Sequence, residues 1–135
     1  MKTVVVYESP WGNTAAIARA IAEGIGPEAR ALSTAEASGA AIAGADLIVA
    51  GAPVIAFRPP SDRMRKSISD DPKHAKTPPN LSHPSMRSWL AALPKGKGRA
   101  AAFETRFGRP AAPRQPSSRD WSERDTAQWR RRSAF

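Results

Sequence analysis

The sequence predicts an α/β domain with a doubly wound, parallel sheet. Short apolar runs at residues 4–7 and 47–53 suit buried strands, and the second run is apolar enough for a strand covered on both faces. A helical repeat of apolar residues at 17–25 follows the first run after one turn. Strands that alternate with helices form such a sheet, and right-handed crossovers leave few topologies for it. In open α/β sheets, ligands bind at the carboxyl ends of the strands.

The first unit, residues 3–25, organises the chain. Its strand ends at Tyr7, a polar turn (ESPWGNT) spans residues 8–14, and isoleucine and alanine recur along the helix until Gly26-Pro27 ends it. A turn between a strand and a helix N-terminus presents unpaired N–H groups and the positive end of the helix dipole. The turn therefore either binds an anion such as a phosphate or only caps the helix.

The turn matches neither of the two common nucleotide-binding motifs. It lacks the Gly-Lys-Ser/Thr of a Walker loop and the Gly-x-Gly-x-x-Gly of dinucleotide-binding proteins. Hydrolysis of a nucleoside triphosphate therefore has no support in the sequence.

The second and third strands follow in the same alternation. Residues 28–32 alternate polar and apolar side chains, as a half-buried edge strand does. We expect Ser33 or Thr34 to cap a short second helix, because serine and threonine are favoured N-caps. The run at residues 47–53 then forms the third strand.

The second half of the predicted domain has two helices and a weak strand. Residues 61–68 fit a short capped helix, residues 69–84 have no period and predict a loop, and a helix follows at 85–93 until Pro94 ends it. We expect one face of that helix to be apolar: Met86, Trp89, Leu90 and Leu93. Residues 99–105 predict a fourth strand, weakened by its alanines.

The composition excludes several chemistries. The 135 residues include no cysteine, so disulfides, thiolate nucleophiles and iron–sulfur ligation are excluded. His74 and His83 lie nine residues apart in the predicted loop with no carboxylate at ligand spacing, so we expect both to be solvated and assign no metal and no catalytic residue. No stretch has the length of a signal-peptide core or a membrane span, and we expect a soluble, cytoplasmic protein that does not contact membranes.

The alternation stops after residue 106. Residues 106–135 contain eight arginines and three acidic residues, a net +5 of the chain's +9, together with many prolines and serines. We expect residues 1–106 to form the domain and residues 107–135 a disordered, basic tail. Trp121 and Trp129 among the arginines would suit stacking on single-stranded nucleic acid, but a solvated tail without a dedicated partner explains the composition more simply.

The first unit, together with the run DLIVAGAP at residues 46–53, resembles the flavodoxin family. The family's phosphate loop has the form Ser/Thr-x-Thr-Gly-x-Thr and commonly closes as Gly-Asn-Thr. Here Ser9, Gly12, Asn13 and Thr14 match it, and Trp11 replaces the usual central hydroxyl residue. The resemblance implies a flavodoxin-like sheet that is truncated to four strands in the order 2-1-3-4.

The resemblance also implies a site for flavin mononucleotide (FMN) on three loops. The phosphate loop would comprise Ser9, Pro10, Trp11, Gly12, Asn13 and Thr14. A second loop, against the isoalloxazine ring, would comprise Pro53, Val54, Ile55, Ala56 and Phe57. A third loop, which follows the fourth strand, would include Thr105 and Arg106.

The function that this resemblance implies is electron transfer through bound FMN, to a redox partner protein or a small-molecule electron acceptor. Such a protein is an electron carrier rather than an enzyme with a substrate site of its own. One alternative is a small quinone-reductase-like flavoenzyme. Another is a flavin-free remnant of the fold that binds a partner or nucleic acid through its basic tail.

The sequence departs from the family in four ways. Val54 stands where relatives often have threonine, and Arg58 stands where glycine is common. Flavodoxins are typically acidic, whereas this chain is basic, so we expect a bound flavin to be less strongly reducing. The family's fifth strand has no counterpart after Thr105, which indicates a truncation or a reading-frame shift, or else a basic tail that replaces the last unit. The fourth strand would then form an exposed edge.

Overall fold

The computed structural model describes residues 1–55 and 58–106. Its strands are β1 (Thr3–Tyr7), β2 (Ala29–Ser33), β3 (Leu47–Val54) and β4 (Arg99–Arg106). Its helices are α1 (Asn13–Ile25), α2 (Gly39–Ile42), α3 (Asp62–Asp70) and α4 (Met86–Ala92), with a 3-10 turn at Pro72–His74. The strands are parallel in the order β2-β1-β3-β4, which confirms the predicted fold class and strand order. Residues 107–135, for which the sequence predicts disorder, lie outside the described residues.

The core lies on both faces of β1 and β3. Val4 and Val6 point to one face and Val5 to the other, and all three are buried. Helices α2 and α4 cover the first face, whose core cluster is Val4, Val6, Leu32, Ala37, Ile42, Ile48, Ala50, Ala52, Met86 and Trp89. Helix α1 covers the other, with Val5, Ala18, Ala22 and Val49. The short apolar runs are therefore the centre of the sheet, as their composition predicts.

Helix α1 packs through alanine rather than isoleucine. Ala15, Ala18 and Ala22 are buried, whereas Ile17 and Ile25 are 46% and 40% exposed. The apolar face that the sequence predicts is wider than the face of α1 that contacts the sheet. Ile17 and Ile25 therefore lie at the edges of that contact, partly in solvent. Since alanine buries little area, this face contributes less hydrophobic stabilisation than the face covered by α4.

The cap of α2 differs from the prediction. Ser38, not Ser33 or Thr34, accepts the hydrogen bond from the backbone N–H of Ala41. Ser33 still belongs to β2, and Thr34 donates its backbone N–H to the Tyr7 carbonyl. Both residues therefore hydrogen-bond at the end of the sheet, and α2 starts only at Gly39.

Serine caps begin the two helices between β3 and β4, close to where the sequence places them. Ser61 accepts from the N–H of Met64 at α3, and Ser85 accepts from the N–H of Ser88 at α4. The apolar face of α4 is confirmed, and the Trp89 indole N–H donates to the Ala37 carbonyl at 2.8 Å. No helix in the described part of the chain is long and apolar enough to cross a membrane.

A glycine in β3 makes room for an aromatic ring of β4. Gly51 lies opposite Phe103 in the parallel register. A Cβ atom at position 51 would fall within the Phe103 ring, so the ring occupies the space that a side chain would fill. The pair joins β3 to β4 on the face covered by α1.

We expect Gly51→Ala to lower the free energy of unfolding by about 1–3 kcal/mol, because the Phe103 ring must move away. Urea denaturation measures the change. Gly24→Ala in α1 is the matched control, since nothing lies within 4 Å of the added Cβ, and it should be neutral or stabilising. Combining Gly51→Ala with Phe103→Leu should recover part of the loss. Strictly additive losses would contradict this explanation.

Candidate functional site

The carboxyl ends of β1, β3 and β4 meet at one edge of the sheet. Tyr7 pairs with Gly51, and Pro53 pairs with Thr105. The chain leaves β1 towards β2 on one side and leaves β3 towards β4 on the other. In open α/β sheets the crevice between two such strands is where ligands bind.

The turn after β1 presents free donors at the N-terminus of α1. Gly12 is the N-cap residue in the left-handed conformation, with φ of 90°, which glycine adopts without strain. Among the described residues, nothing accepts a hydrogen bond from the backbone N–H of Asn13 or Thr14. These donors coincide with the positive end of the helix dipole. The Asn13 side chain is exposed beside them.

Ser9 has a capping role that the other polar residues of the turn lack. Its hydroxyl oxygen accepts from the backbone N–H of Ala15 at 3.0 Å. The hydroxyl hydrogen remains available to a second acceptor, because a serine hydroxyl both donates and accepts. Helix capping thus accounts for Ser9 but not for Asn13 or Thr14.

A pair of threonine hydroxyls joins the turn to β4. The Oγ1 atoms of Thr14 and Thr105 lie 2.8 Å apart, and Thr14 is buried. Thr105 therefore lies beside the turn, although 91 positions separate the two residues. At the next position, Arg106 forms an ion pair with Glu104.

The predicted ring loop begins at the same edge. Pro53 is buried, and Val54 and Ile55 are half-buried. Ile55 and Arg58 exchange two backbone hydrogen bonds, of 2.9 and 3.2 Å. Ala56 and Phe57 lie outside the described residues.

The chain between α3 and α4 packs against the turn. The Trp11 indole N–H donates to the Thr77 carbonyl at 3.2 Å, and its ring lies 5.3 Å from the His74 ring. The backbone N–H of Asn80 donates to the Pro10 carbonyl at 2.7 Å. The structure thus places Trp11 against this segment, a contact that the unpatterned loop sequence does not reveal.

A buried carboxylate after β1 contacts both helices that flank this segment. Glu8 is fully buried, and its Oε2 accepts from the backbone N–H of Met86 at 2.8 Å. Its Oε1 lies 3.3 Å from Nε of Arg65 as an ion pair without hydrogen-bond geometry. Burial raises the pKa of the Glu8 carboxyl, and the Met86 N–H and the Arg65 guanidinium offset part of that rise.

His83 completes this network, and the prediction that it is solvated is wrong. Its side chain is buried, and Nε2 accepts from the backbone N–H of Ser9 at 3.3 Å. Its carbonyl accepts from Nη2 of Arg65 at 2.6 Å. Burial, and then the nearby Arg65 charge, lower the pKa of His83. No group of three or more metal-ligating side chains occurs within residues 1–55 and 58–106.

The comparisons with known proteins support the fold. No protein-family model matches the chain, and a comparison with curated proteins gives no match. Among solved structures, the chain is similar to a flavodoxin from the domain Archaea, with 25% identity and a TM-score of 0.50. The match covers 78% of this chain and 63% of that flavodoxin, so it spans less than two thirds of the flavodoxin's length. The chain has a flavodoxin-like α/β fold.

We expect Arg65→Met to lower the free energy of unfolding by about 3 kcal/mol at pH 8, because it leaves the Glu8 charge buried and unpaired. The folded-state pKa of Glu8 lies above its unfolded value, so this cost is present at high pH. It fades as the pH falls and Glu8 takes up a proton. The loss at pH 5 should therefore be smaller.

Denaturant unfolding at both pH values measures the two losses. Arg63→Met is the matched control, because Arg63 is exposed on the same helix, and its effect should stay within about 0.5 kcal/mol. A loss for Arg65→Met that is equal at pH 5 and pH 8 would show that the Glu8 charge is not its cause.

Proposed function

We propose that the chain binds FMN noncovalently at the turn after β1 and acts as a cytoplasmic electron carrier. The observation that carries this proposal is the set of donors at the turn: a left-handed Gly12 followed by two backbone N–H groups without an acceptor among the described residues. Such a set fits a phosphate dianion without any lysine or arginine. The likeness to a flavodoxin supports the same ligand.

The residues around the turn have distinct roles in this proposal. The backbone N–H groups of Asn13 and Thr14 and the Ser9 hydroxyl would bind the phosphate. Thr105 proves to lie within β4 rather than in a loop after it, and its hydroxyl pair with Thr14 would keep the end of β4 against the turn. A bound flavin supplies the electron-transfer chemistry, and no side chain acts as an acid, base or nucleophile.

Pro53 and Val54, which prove to be the last residues of β3, and Ile55 after them would contact the flavin ring, together with Ala56 and Phe57 as the sequence predicts. Arg106 flanks the same edge at the end of β4. The electron acceptor would be a redox partner protein or a small molecule. Because the chain carries a net charge of +9, it should attract anionic acceptors.

We expect Gly12→Ala to weaken FMN binding about tenfold or more. An alanine resists a φ of 90°, and a change in this angle reorients the N–H groups that would bind the phosphate. Gly44→Ala is the matched control, because Gly44 is also left-handed, with φ of 70°, but lies at the amino end of β3. Titration of the full chain into FMN, followed by flavin fluorescence, measures both affinities.

Two outcomes of this titration would contradict the proposal. Equal losses in the two variants would show that strain alone, and not the turn, weakens binding. A wild-type chain that takes up no FMN would exclude the flavin site. Salt-dependent retention of nucleic acid that is lost on deletion of residues 107–135 would then support the alternative, in which the basic tail binds nucleic acid.

The charge of the chain predicts the direction of its redox potential. Arg58 is exposed, directly follows the predicted ring loop, and hydrogen-bonds through its backbone to Ile55 of that loop. A positive charge there favours the negative charge that a flavin takes up on reduction. We expect Arg58→Gln to lower the midpoint potential, whereas Arg30→Gln on the distant edge strand β2 should change it less. A reductive titration of the FMN-loaded chain measures this, and equal shifts would contradict a local effect.

A further inference from the structure

Ser9 is fixed from two sides by hydrogen bonds. Its hydroxyl oxygen accepts from the Ala15 N–H in the first turn of α1, and its own backbone N–H donates to Nε2 of His83. The first bond orients the hydroxyl relative to the helix, and the second sets the backbone from which that hydroxyl projects. His83 therefore controls the start of the turn from a segment 74 positions away.

The bond from Ser9 requires a neutral imidazole. Nε2 accepts only when it carries no hydrogen, and in the imidazolium form both ring nitrogens are donors. Protonated His83 would face the Ser9 N–H with an N–H of its own. The bond would then be lost and two donors would oppose each other.

Burial and the neighbouring Arg65 charge favour the neutral form of His83, which also has two carboxylates in its surroundings. From α3, Arg65 donates to the His83 carbonyl and pairs with the buried Glu8 at the turn. Asp62, on the same helix, lies 3.8 Å from Nη1 of Arg65, and Arg87 of α4 donates to the Pro59 carbonyl nearby. The burial of the ring and the Arg65 charge both lower the pKa of His83.

We propose that neutral His83 is a positioning residue of the turn after β1, and that Arg65 positions His83. This inference rests on the proposed FMN site, since it assigns a role towards that ligand. In this proposal His83 acts through Ser9 and does not bind the ligand. It holds the Ser9 backbone so that the Ser9 hydroxyl and the donors of Asn13 and Thr14 point to one anion.

The first experiment is a rescue at pH 8 with the full chain and FMN as the probe. His83→Ala removes the acceptor and should weaken FMN binding about tenfold, the effect of one hydrogen bond. His83→Gln presents an amide oxygen near the position of Nε2 and should stay within about threefold of wild type. Equal weakening by both substitutions would overturn the proposal.

The second experiment follows FMN affinity from pH 8 to pH 5. The FMN phosphate itself titrates near pH 6, which affects every variant alike. Wild type should lose more affinity than His83→Gln over this range, because glutamine does not titrate. The difference should reach at most about tenfold, since the pKa of His83 is lowered. His74→Gln removes the other histidine, whose ring contacts Trp11 but makes no bond to Ser9, and its loss of affinity between pH 8 and pH 5 should equal that of wild type. A His83→Gln profile that matches the wild-type profile would overturn the proposal.

A third measurement needs neither a variant nor a ligand. The Ser9 amide resonance of the wild-type chain should move with the His83 ring as the pH falls, and an amide that does not follow the ring would overturn the inference. If the chain binds no FMN at pH 8, the proposed function fails, while this titration still decides whether His83 controls Ser9. The two failures are therefore distinguishable.

Discussion

Glu8 places a carboxylate at the end of β1 where no solvent reaches it, and the connection from β3 to β4 is built around that charge. Arg65 supplies the opposite charge and the Met86 N–H supplies a hydrogen bond. A buried ion pair adds little net stability, because desolvation offsets its attraction, but breaking it leaves an expensive charge behind. The pair therefore selects one arrangement of α3 and α4 against the turn rather than adding much to the stability of the sheet.

The same arrangement determines the chemistry of the turn. The contacts of Trp11 with Thr77 and of Pro10 with Asn80 use the Trp11 indole N–H and the Pro10 carbonyl, and neither uses the backbone N–H groups of Asn13 and Thr14. The N–H groups at the start of α1 stay without an acceptor among the described residues. An anion at this position would be bound by neutral dipoles, so its affinity should depend on backbone geometry more than on ionic strength.

Local patterns predict the fold and part of the site, and contacts between distant segments account for the rest. The valines of β1, the starts of α3 and α4 near Ser61 and Ser85, and the apolar face of α4 all leave a short-range signal in the sequence. The His83–Ser9 bond joins the turn after β1 to a segment without any period, and nothing near His83 in the sequence indicates burial. Ser38 replaces the expected caps of α2 because pairing with β1 extends β2 to Ser33.

The strands end at different heights at the carboxyl edge of the sheet. Strand β1 stops level with Gly51, whereas β3 and β4 run on together to Val54 and Arg106. Three further residues make a ledge about 10 Å high beside the turn. A flat molecule anchored at the turn would rest one side on this ledge and leave its opposite side uncovered by the sheet. If that molecule were a flavin, electrons would pass across the side away from the sheet by direct approach of a partner.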